Sequence, residues 1–261
     1  MKPLTTALVL ATLLPLTTPV LARDLAEIQK SETLVIVTTS SNPPHAYKDP
    51  VDGELKGIMI EVAQGVAKRL KLTPKFVDVS FPGLIPTLTT NRADLMASPL
   101  FITDERAKVI DFTTPVYGWG EGIVQSEKNK TAYAKPEDLK NAKIGTLADS
   151  VQFRMAKEIP GATVSTYSDY PTLLADVRAN RLDAGVVDPP SIIYQIKSKG
   201  IPGVLMNTSY QPTNTWKVGM AVQKGNEPLL KLVNDALKDI KDRGELDAIL
   251  KKWGVSELVT Q

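Results

Sequence analysis

"NRADLMASPLFITDER" (residues 91–106) is partly repeated downstream by "NRLDAGVVDPP" (residues 180–190). Both copies begin with Asn-Arg-x-Asp and continue into a short apolar run. Upstream, an offset of about 89 positions also aligns Pro82 with Pro171, together with apolar residues at helical spacing. Each copy therefore predicts a helix, a polar turn and a buried strand, which is the order found in parallel sheets.

The segments before each copy also alternate between strand-like and helix-like patterns. "TLVIVTTS" and "PKFVDV" predict strands, while "IMIEVAQGVAKRLKL" and "FPGLIPTLTTN" predict helices, the first over Glu61 to Leu70. "AKIGTL" and "TVSTYS" precede the second copy in the same way. Two similar α/β lobes are the simplest explanation, and open α/β sheets bind ligands beyond the carboxyl ends of their strands.

The amino terminus has a different character from the rest of the chain. Lys2 is followed by an uncharged, Leu- and Thr-rich stretch that ends at Ala22, before the first acidic residue. This profile predicts a secretory signal peptide over residues 1–22 and hence a periplasmic location. A membrane anchor is the alternative, but the stretch is short and is interrupted by Pro15 and Pro19.

The overall composition excludes several classes of protein. Lys and Arg number 31 against 29 Asp and Glu, so the near-neutral charge argues against a nucleic-acid partner. The chain has no cysteine, which excludes disulfides and Cys-ligated metals, and His45 is its only histidine. We therefore expect no metal site and no cofactor.

Polar residues of opposite charge follow the two repeated strands. The first strand leads into Ser98 and, further on, Arg106, while the second leads into Asp188. One lobe therefore offers a cation and the other an anion at the expected ligand-binding edge.

The chain resembles the periplasmic solute-binding proteins of ABC importers for polar amino acids, family 3. The resemblance covers essentially the whole mature sequence and rests on "GIMIEVAQGVAKRL", "FPGLIPTL", "ITDERAKVIDFTTPVY", "IGTLADSVQ", "RLDAGVVD" and "LKDIKDRGELDAILKKWG". It implies a two-lobed periplasmic binding protein fold (type II), with two Rossmann-like lobes joined by two hinge strands.

The resemblance also implies an arrangement of the chain. Residues 23–117 and 214–261 would form the first lobe and residues 118–213 the second, with the closing segment predicted as a helix that returns to the first lobe. The implied partners are a small zwitterionic ligand and the permease subunits of an ABC transporter, and we expect a monomer.

The family's two charged ligand contacts correspond to Arg106 and Asp188 in this sequence. By resemblance, Arg106 would bind the ligand's carboxylate and Asp188 its ammonium group, and a guanidinium suits a carboxylate because it forms two parallel bonds. The alternatives are that Arg106 pairs with Asp104 or Asp111, and that Asp188 only caps the helix that begins at Pro189.

Four further positions join the expected site. Ser150 and Val151 lie where a strand meets a helix, so their backbone N–H groups would face an anion, although Ser150 could simply cap the helix. Phe101 replaces a family Ser or Thr and would face an ammonium or quaternary amine. Ile58 replaces a family aromatic residue.

The loop and hinge add three more candidates. Asn42 and His45 occupy the first loop, where the family often has aromatic residues, and His45 could equally be an ordinary loop residue. Trp119 lies near the first predicted crossover between the lobes, where it would either line the cleft or pack the hinge.

These features predict a binding protein that captures its solute by hinge closure, not an enzyme. The ligand stays open between a standard amino acid and a derivative such as an opine or a betaine. Two alternatives share the same fold: a secreted cyclohexadienyl dehydratase, which would need a placed general acid or base, and a sensor that presents its ligand to a receptor.

Overall fold

The computed structural model describes residues 23–256 and 259, so the predicted signal peptide over residues 1–22 lies outside the described residues. The strands, in chain order, are β1 Thr33–Thr38, β2 Ser41–Asn42, β3 Ala46–Lys48, β4 Leu55–Lys56, β5 Thr73–Asp78, β6 Leu95–Met96, β7 Ile110–Phe112, β8 Tyr117–Gly120, β9 Gly122–Ser126, β10 Lys143–Leu147, β11 Thr163–Tyr167, β12 Ala184–Val187, β13 Val204–Met206, β14 Thr215–Val218 and β15 Ala221–Gln223. The α-helices are α1 Leu25–Lys30, α2 Ile58–Leu70, α3 Leu84–Thr89, α4 Asp104–Ala107, α5 Val151–Lys157, α6 Tyr170–Arg178, α7 Pro189–Lys199, α8 Glu227–Asp242 and α9 Glu245–Lys252. Short 3-10 turns lie at Phe81–Gly83 and Pro136–Leu139.

Two five-stranded sheets form the centres of two lobes. The sheet of the first lobe has the order β5-β1-β6-β15-β7, and that of the second lobe has the order β11-β10-β12-β9-β13. In each sheet the first three strands are parallel and the last two pair antiparallel. The lobes are therefore built to the same plan, as the sequence repeat predicts.

Two strands run between the lobes. β8 and β14 pair antiparallel, with Trp119 opposite Trp216. β8 leads from the first sheet to the second, and β14 leads back to β15 in the first sheet. The prediction of a two-lobed type II fold with two hinge strands is confirmed.

The repeated Asn-Arg-x-Asp turn performs the same structural task in both lobes. Asn91 and Asn180 adopt positive φ values of 62° and 54°, a left-handed conformation that Asn tolerates at the end of a helix. Three residues after Asn91, the carboxylate of Asp94 accepts from the backbone N–H of Val35 in β1 at 2.8 Å. In the second lobe Asp183 accepts from the first residue of β10 at 2.7 Å. Each aspartate thus holds the start of the neighbouring strand.

Helix α2 begins at Ile58, three residues earlier than the sequence predicts. The first N–H groups of the helix donate to the preceding loop: Ile58 to the carbonyl of Pro44 at 2.9 Å and Met59 to that of His45 at 2.8 Å. Gly57 allows this close approach, because a Cβ there would lie 2.6 Å from the His45 oxygen. The helix start therefore fixes the loop that carries His45.

The closing segment packs on the first lobe, as predicted, but it forms two helices and not one. Gly244, with a φ of 69°, separates α8 from α9. Val233, Leu237 and Ile240 of α8 are buried in the same apolar cluster as α2. Within the described part of the chain, no helix combines the length and apolar character needed to cross a membrane.

Candidate functional site

The lobes touch across the carboxyl ends of their parallel strands. Asn42 of the first lobe accepts from the hydroxyl of Ser191 in the second. Nearer the outside, Glu105 of the first lobe forms an ion pair with Arg154 of α5. The region between these contacts holds the charged residues that the sequence singles out.

Arg106 is positioned by the short helix α4. Thr103 caps this helix and accepts from the Arg106 backbone N–H at 3.2 Å. The guanidinium donates to the carbonyl of Phe101 at 2.8 Å and, across the lobes, to that of Asp149 at 2.7 Å. Its side chain is buried, and burial lowers its pKa to about 10. A buried guanidinium that keeps unused N–H donors is suited to an anion.

The alternative partners of Arg106 do not hold it in the structure. Asp111 pairs with Lys224 at 2.7 Å. Within residues 23–256, the hydrogen bonds of the Arg106 side chain go to carbonyl oxygens, and it forms no ion pair with a carboxylate. Asp149 and Asp188 are nevertheless close enough to raise its pKa against the effect of burial.

Asp188 occupies the N-cap position of α7, but its side chain makes no capping hydrogen bond. Its Oδ1 instead accepts from the Trp119 indole at 2.8 Å and from the Gln152 amide at 2.7 Å. Burial raises its pKa, while hydrogen bonds from neighbouring side chains, including Trp119 and Gln152, act in the opposite direction. The carboxylate is therefore held by a hinge residue and by a residue of the second lobe.

Ser150 has a structural role in the described contacts. Its hydroxyl accepts from the Phe153 backbone N–H at 3.0 Å and donates to the Leu147 carbonyl at 2.7 Å, so it caps α5. Val151 is buried in an apolar cluster that also contains Trp119. The structure brings both residues to the lobe interface beside Gln152.

Five aromatic rings surround the hinge. The His45 ring stacks on Trp119 with centroids 4.5 Å apart and an interplanar angle of 14°, and its Nδ1 lies 2.8 Å from the Tyr117 hydroxyl. Phe101 lies 4.9 Å from Trp119 and 5.4 Å from Trp216. Trp119 therefore contacts residues of the first lobe through its ring faces and Asp188 of the second through its edge.

Ile58 is fully buried at the start of α2. It belongs to the apolar cluster that contains Phe101 and Trp119 and extends through the helices of the first lobe. The structure shows Ile58 as a packing residue beneath the aromatic rings, and its predicted contact with a ligand stays a prediction.

Some polar atoms in this region are buried without a hydrogen-bond partner. Among the described residues these side-chain atoms are Asn42 Nδ2, His45 Nε2 and Ser98 Oγ. The Asn42 amide lies near the Asp188 carboxylate and lowers its pKa, yet it makes no hydrogen bond of good geometry there. Buried donors without partners are rare in folded proteins, and each calls for an explanation.

Sequence reasoning missed three residues that the structure brings to this interface: Tyr117, Gln152 and Ser191. Tyr117 and Trp119 are two apart on β8 and so face the same side, a signal readable in "VYGWGEG". Gln152 follows Ser150 by two residues, but its bond to Asp188 depends on the packing of two separate helices. Within the described ranges, no group of three or more His, Asp or Glu residues is arranged to hold a metal ion.

Comparison with known proteins places these features in a family. A family model described as "Bacterial extracellular solute-binding proteins, family 3" matches residues 34–256. The L-cystine-binding protein TcyJ of Escherichia coli (strain K12) is 30% identical over 230 residues, which are 88% of this chain and 85% of that protein.

Solved structures show the same architecture. An ancestral arginine-binding protein bound to arginine superposes with a TM-score of 0.79 and 31% identity, over 85% of this chain and 98% of that one. The ancestral amino acid-binding protein AncCDT-1, described as a precursor of cyclohexadienyl dehydratase, has a TM-score of 0.80 and 31% identity, over 88% and 98% of the two chains.

Proposed function

The chain belongs to the bacterial extracellular solute-binding proteins, family 3, and we propose that it captures an amino acid or amino-acid derivative and delivers it to an ABC importer. The ligand would be held between the lobes, its carboxylate at Arg106 and its ammonium group at Asp188. Several named relatives bind amino acids, including cystine, arginine and glutamine.

One observation carries this proposal: a buried cation and a buried anion come from opposite lobes to the same interface. Arg106 belongs to the first lobe and Asp188 to the second, and both are about 5% exposed. A zwitterion presents one group of each sign, so a single ligand satisfies both lobes at once. Charges buried in this way are costly unless they are paired.

The same arrangement explains how binding would drive closure. The bond from Arg106 to the Asp149 carbonyl and the contact between Asn42 and Ser191 exist only when the lobes approach. A ligand that contacts both lobes adds free energy to the closed state alone, and it therefore shifts the population toward that state. The importer would then recognise the closed form.

The dehydratase alternative has less support. The L-cystine-binding protein TcyJ and the L-arginine-binding protein of Pseudomonas aeruginosa share 30% and 31% identity with the chain, and both are described as binding proteins. AncCDT-1 itself is described as an amino acid-binding protein. The prediction that the chain is a substrate-binding protein and not an enzyme is therefore supported by its relatives. Incubation with arogenate or prephenate should leave the absorbance of either compound unchanged.

We place the first lobe at residues 23–117 and 214–261 and the second at 118–213, which agrees with the distribution of the two sheets. We also propose that residues 1–22 direct export to the periplasm and are removed, and that the protein works as a monomer.

A thermal-shift screen tests the proposed function. Purified protein is unfolded and refolded to remove any bound solute, and its Tm is then measured with each proteinogenic amino acid, with cystine and with a set of quaternary amines. A ligand that binds only the folded state must raise the Tm. At a concentration 100 times its Kd, the expected stabilisation is about 2.7 kcal/mol. The proposal fails if no zwitterionic compound raises the Tm.

A further inference from the structure

Three aromatic rings form a second contact between the lobes. Tyr47 lies on β3 and Trp253 follows α9, both in the first lobe, whereas Tyr194 lies on α7 in the second. The ring centroid of Tyr194 is 6.4 Å from that of Tyr47 and 5.9 Å from that of Trp253, and the two first-lobe rings are 5.8 Å apart. The ring of the second lobe therefore contacts both rings of the first.

The orientation of these rings is a favourable one. Tyr47 and Trp253 meet edge to face at 90°, and Tyr194 is tilted by 50° and 59° from the two. Aromatic rings attract one another when a positive edge faces a negative ring surface and the centroids are about 4.5–7 Å apart. All three pairs have distances in this range, so the rings attract one another across the interface.

The Trp253 ring is held in place by its own lobe. Its indole Nε1 donates to the carboxylate of Glu61 in α2 at 2.9 Å. Lys252 donates to the same oxygen at 2.8 Å, and its ammonium group lies 5.5 Å from the centroid of the Trp253 ring. Because these bonds lie within the first lobe, opening of the lobes would not break them. The first-lobe side of the contact is therefore largely formed before Tyr194 arrives, which reduces the entropy lost on closure.

Helix α7 directs Tyr194 toward the first lobe. Ser191 and Tyr194 are three residues apart and so share a helix face, and Ser191 donates to Asn42 of β2. β2 pairs with β3, so the face of α7 that contacts Asn42 also reaches Tyr47. Tyr194 follows Asp188 by six residues, about 9 Å along the helix axis. The aromatic contact is thus separate from the carboxylate at the start of the helix.

The ion pair between the lobes is more exposed than the aromatic contact. The side chains of Glu105 and Arg154 are 68% and 39% exposed, and ion pairs at exposed positions contribute little free energy. Tyr47, Tyr194 and Trp253 are each partly buried. Opening of the lobes would expose their ring faces to water, so of these two contacts the aromatic one favours closure more strongly.

We propose that Tyr47, Tyr194 and Trp253 form an aromatic clasp that stabilises the closed conformation and raises the affinity for every ligand without contacting it. This inference rests on the proposed function as a binding protein that closes on its solute. Arg106 and Asp188 act on the ligand, whereas the aromatic clasp acts on the equilibrium between the open and closed conformations.

An effect on this equilibrium differs from a contact with the ligand. The rings of the two lobes meet only when the lobes are closed, so their attraction increases the population of the closed conformation. The apparent affinity of a ligand scales with the population of the conformation that binds it. Loss of the aromatic clasp should therefore weaken different ligands by the same factor, whereas loss of a ligand contact changes their ratio.

Calorimetry on the full mature protein tests the aromatic clasp. Each proteinogenic amino acid and L-cystine serve as probes, and the two that bind the parent most tightly are measured with the variants. Tyr194→Ala should weaken both about tenfold, whereas Tyr194→Phe, which keeps the ring, should stay within about twofold of the parent. Lys197→Ala, an exposed position on the same helix, is the matched control and should change neither affinity.

A double-mutant cycle shows whether the rings act across the interface. Tyr47→Ala should weaken the tightest probe about fivefold, because Trp253 still contacts Tyr194 in that variant. The double variant with Tyr194→Ala should lose about tenfold, as Tyr194→Ala does alone, because Tyr47 then has no ring of the second lobe to contact. A loss of about fiftyfold, the product of the two single losses, would show independent effects and overturn the inference.

The kinetics of binding give a separate measurement. Stopped-flow mixing should show that Tyr194→Ala raises the dissociation rate of the tightest probe about tenfold and changes its association rate by less than about twofold, because release requires the lobes to open. Losses that differ more than about threefold between the two probes would identify Tyr194 as a ligand contact. That result would overturn the inference and leave the proposed function standing. If no amino acid binds the parent protein, the proposed function fails and the inference fails with it.

Discussion

The indole Nε1 of Trp119 donates to the Asp188 carboxylate at 2.8 Å, so a hinge residue holds the acidic group of the second lobe. The opposite strand of the hinge carries Trp216, which is only half-buried. The acid that we propose for the ligand's ammonium group is thus positioned by the same strand about which the lobes would move.

Replacement of Trp119 by Phe should destabilise the protein. The variant keeps an aromatic ring beside His45 but removes one donor from a buried carboxylate, which typically costs about 1–3 kcal/mol. Urea unfolding measures the difference, and Trp216→Phe is the matched control, for which we expect a smaller loss. An equal loss for the two variants would show that the bond to Asp188 contributes little.

The pH dependence of stability should identify Asp188. Burial raises its pKa above the usual 3.8 in the folded state, so its contribution to stability is present at low pH and is lost as the pH rises through the folded value. Asp188→Asn should therefore become more stable relative to the parent as the pH rises from about 4 to 7. Urea unfolding at both pH values measures this difference.

Asp176 provides a control with the opposite sign. Hydrogen bonds from Arg181 and Tyr167 lower its pKa, so its contribution is present above the usual carboxyl pKa and is lost as the pH falls. Asp176→Asn should therefore lose stability relative to the parent as the pH rises. If Asp188→Asn behaved like Asp176→Asn, the raised pKa of Asp188 would be refuted.

Replacement of Arg106 by Lys should weaken ligand binding although the positive charge is kept. A lysine cannot reproduce the planar, two-bond contact with a carboxylate, nor can it reach both the Phe101 and the Asp149 carbonyls. We expect a loss of about 2 kcal/mol, roughly thirtyfold in Kd, by calorimetry. Arg92→Lys is the control, because Arg92 is exposed. A similar loss of ligand affinity in that variant would show that the effect does not come from the contacts of Arg106.

The repeated turn should matter for stability and not for binding. Asp94→Ala and Asp183→Ala each remove the acceptor of a strand N–H group, so we expect each to lower the free energy of unfolding by about 1–2 kcal/mol. Asp94→Ala should lower the free energy of unfolding more than Asp183→Ala does, because Asp94 also pairs with Arg23 and is more deeply buried. Calorimetry should find the ligand affinity of both variants unchanged. A large loss of affinity in either variant would show that the turn is part of the ligand-binding site.

The repeat predicted the lobes because helix, turn and strand are determined by local patterns. It also led to Arg106 and Asp188, since residues that follow parallel strands lie at the carboxyl-end edge of their own sheet, and the two lobes face each other across these edges. Tyr117 and Gln152 escaped prediction because their importance depends on which side chains from distant segments they reach. The start of α2 at Ile58 escaped prediction for the same reason, because its first N–H groups donate to two carbonyls of the preceding loop.

If the two lobes hold opposite ends of one zwitterion, a ligand with either end blocked must bind more weakly. Calorimetry would compare the amino acid that gives the largest thermal shift with its α-amide, which lacks the carboxylate, and with its N-acetyl form, which lacks the ammonium group. We predict that the parent compound binds and that each blocked form loses at least about 2 kcal/mol, roughly thirtyfold in Kd. Binding of either blocked form as tightly as the parent compound would show that the lobes do not hold opposite ends of the ligand.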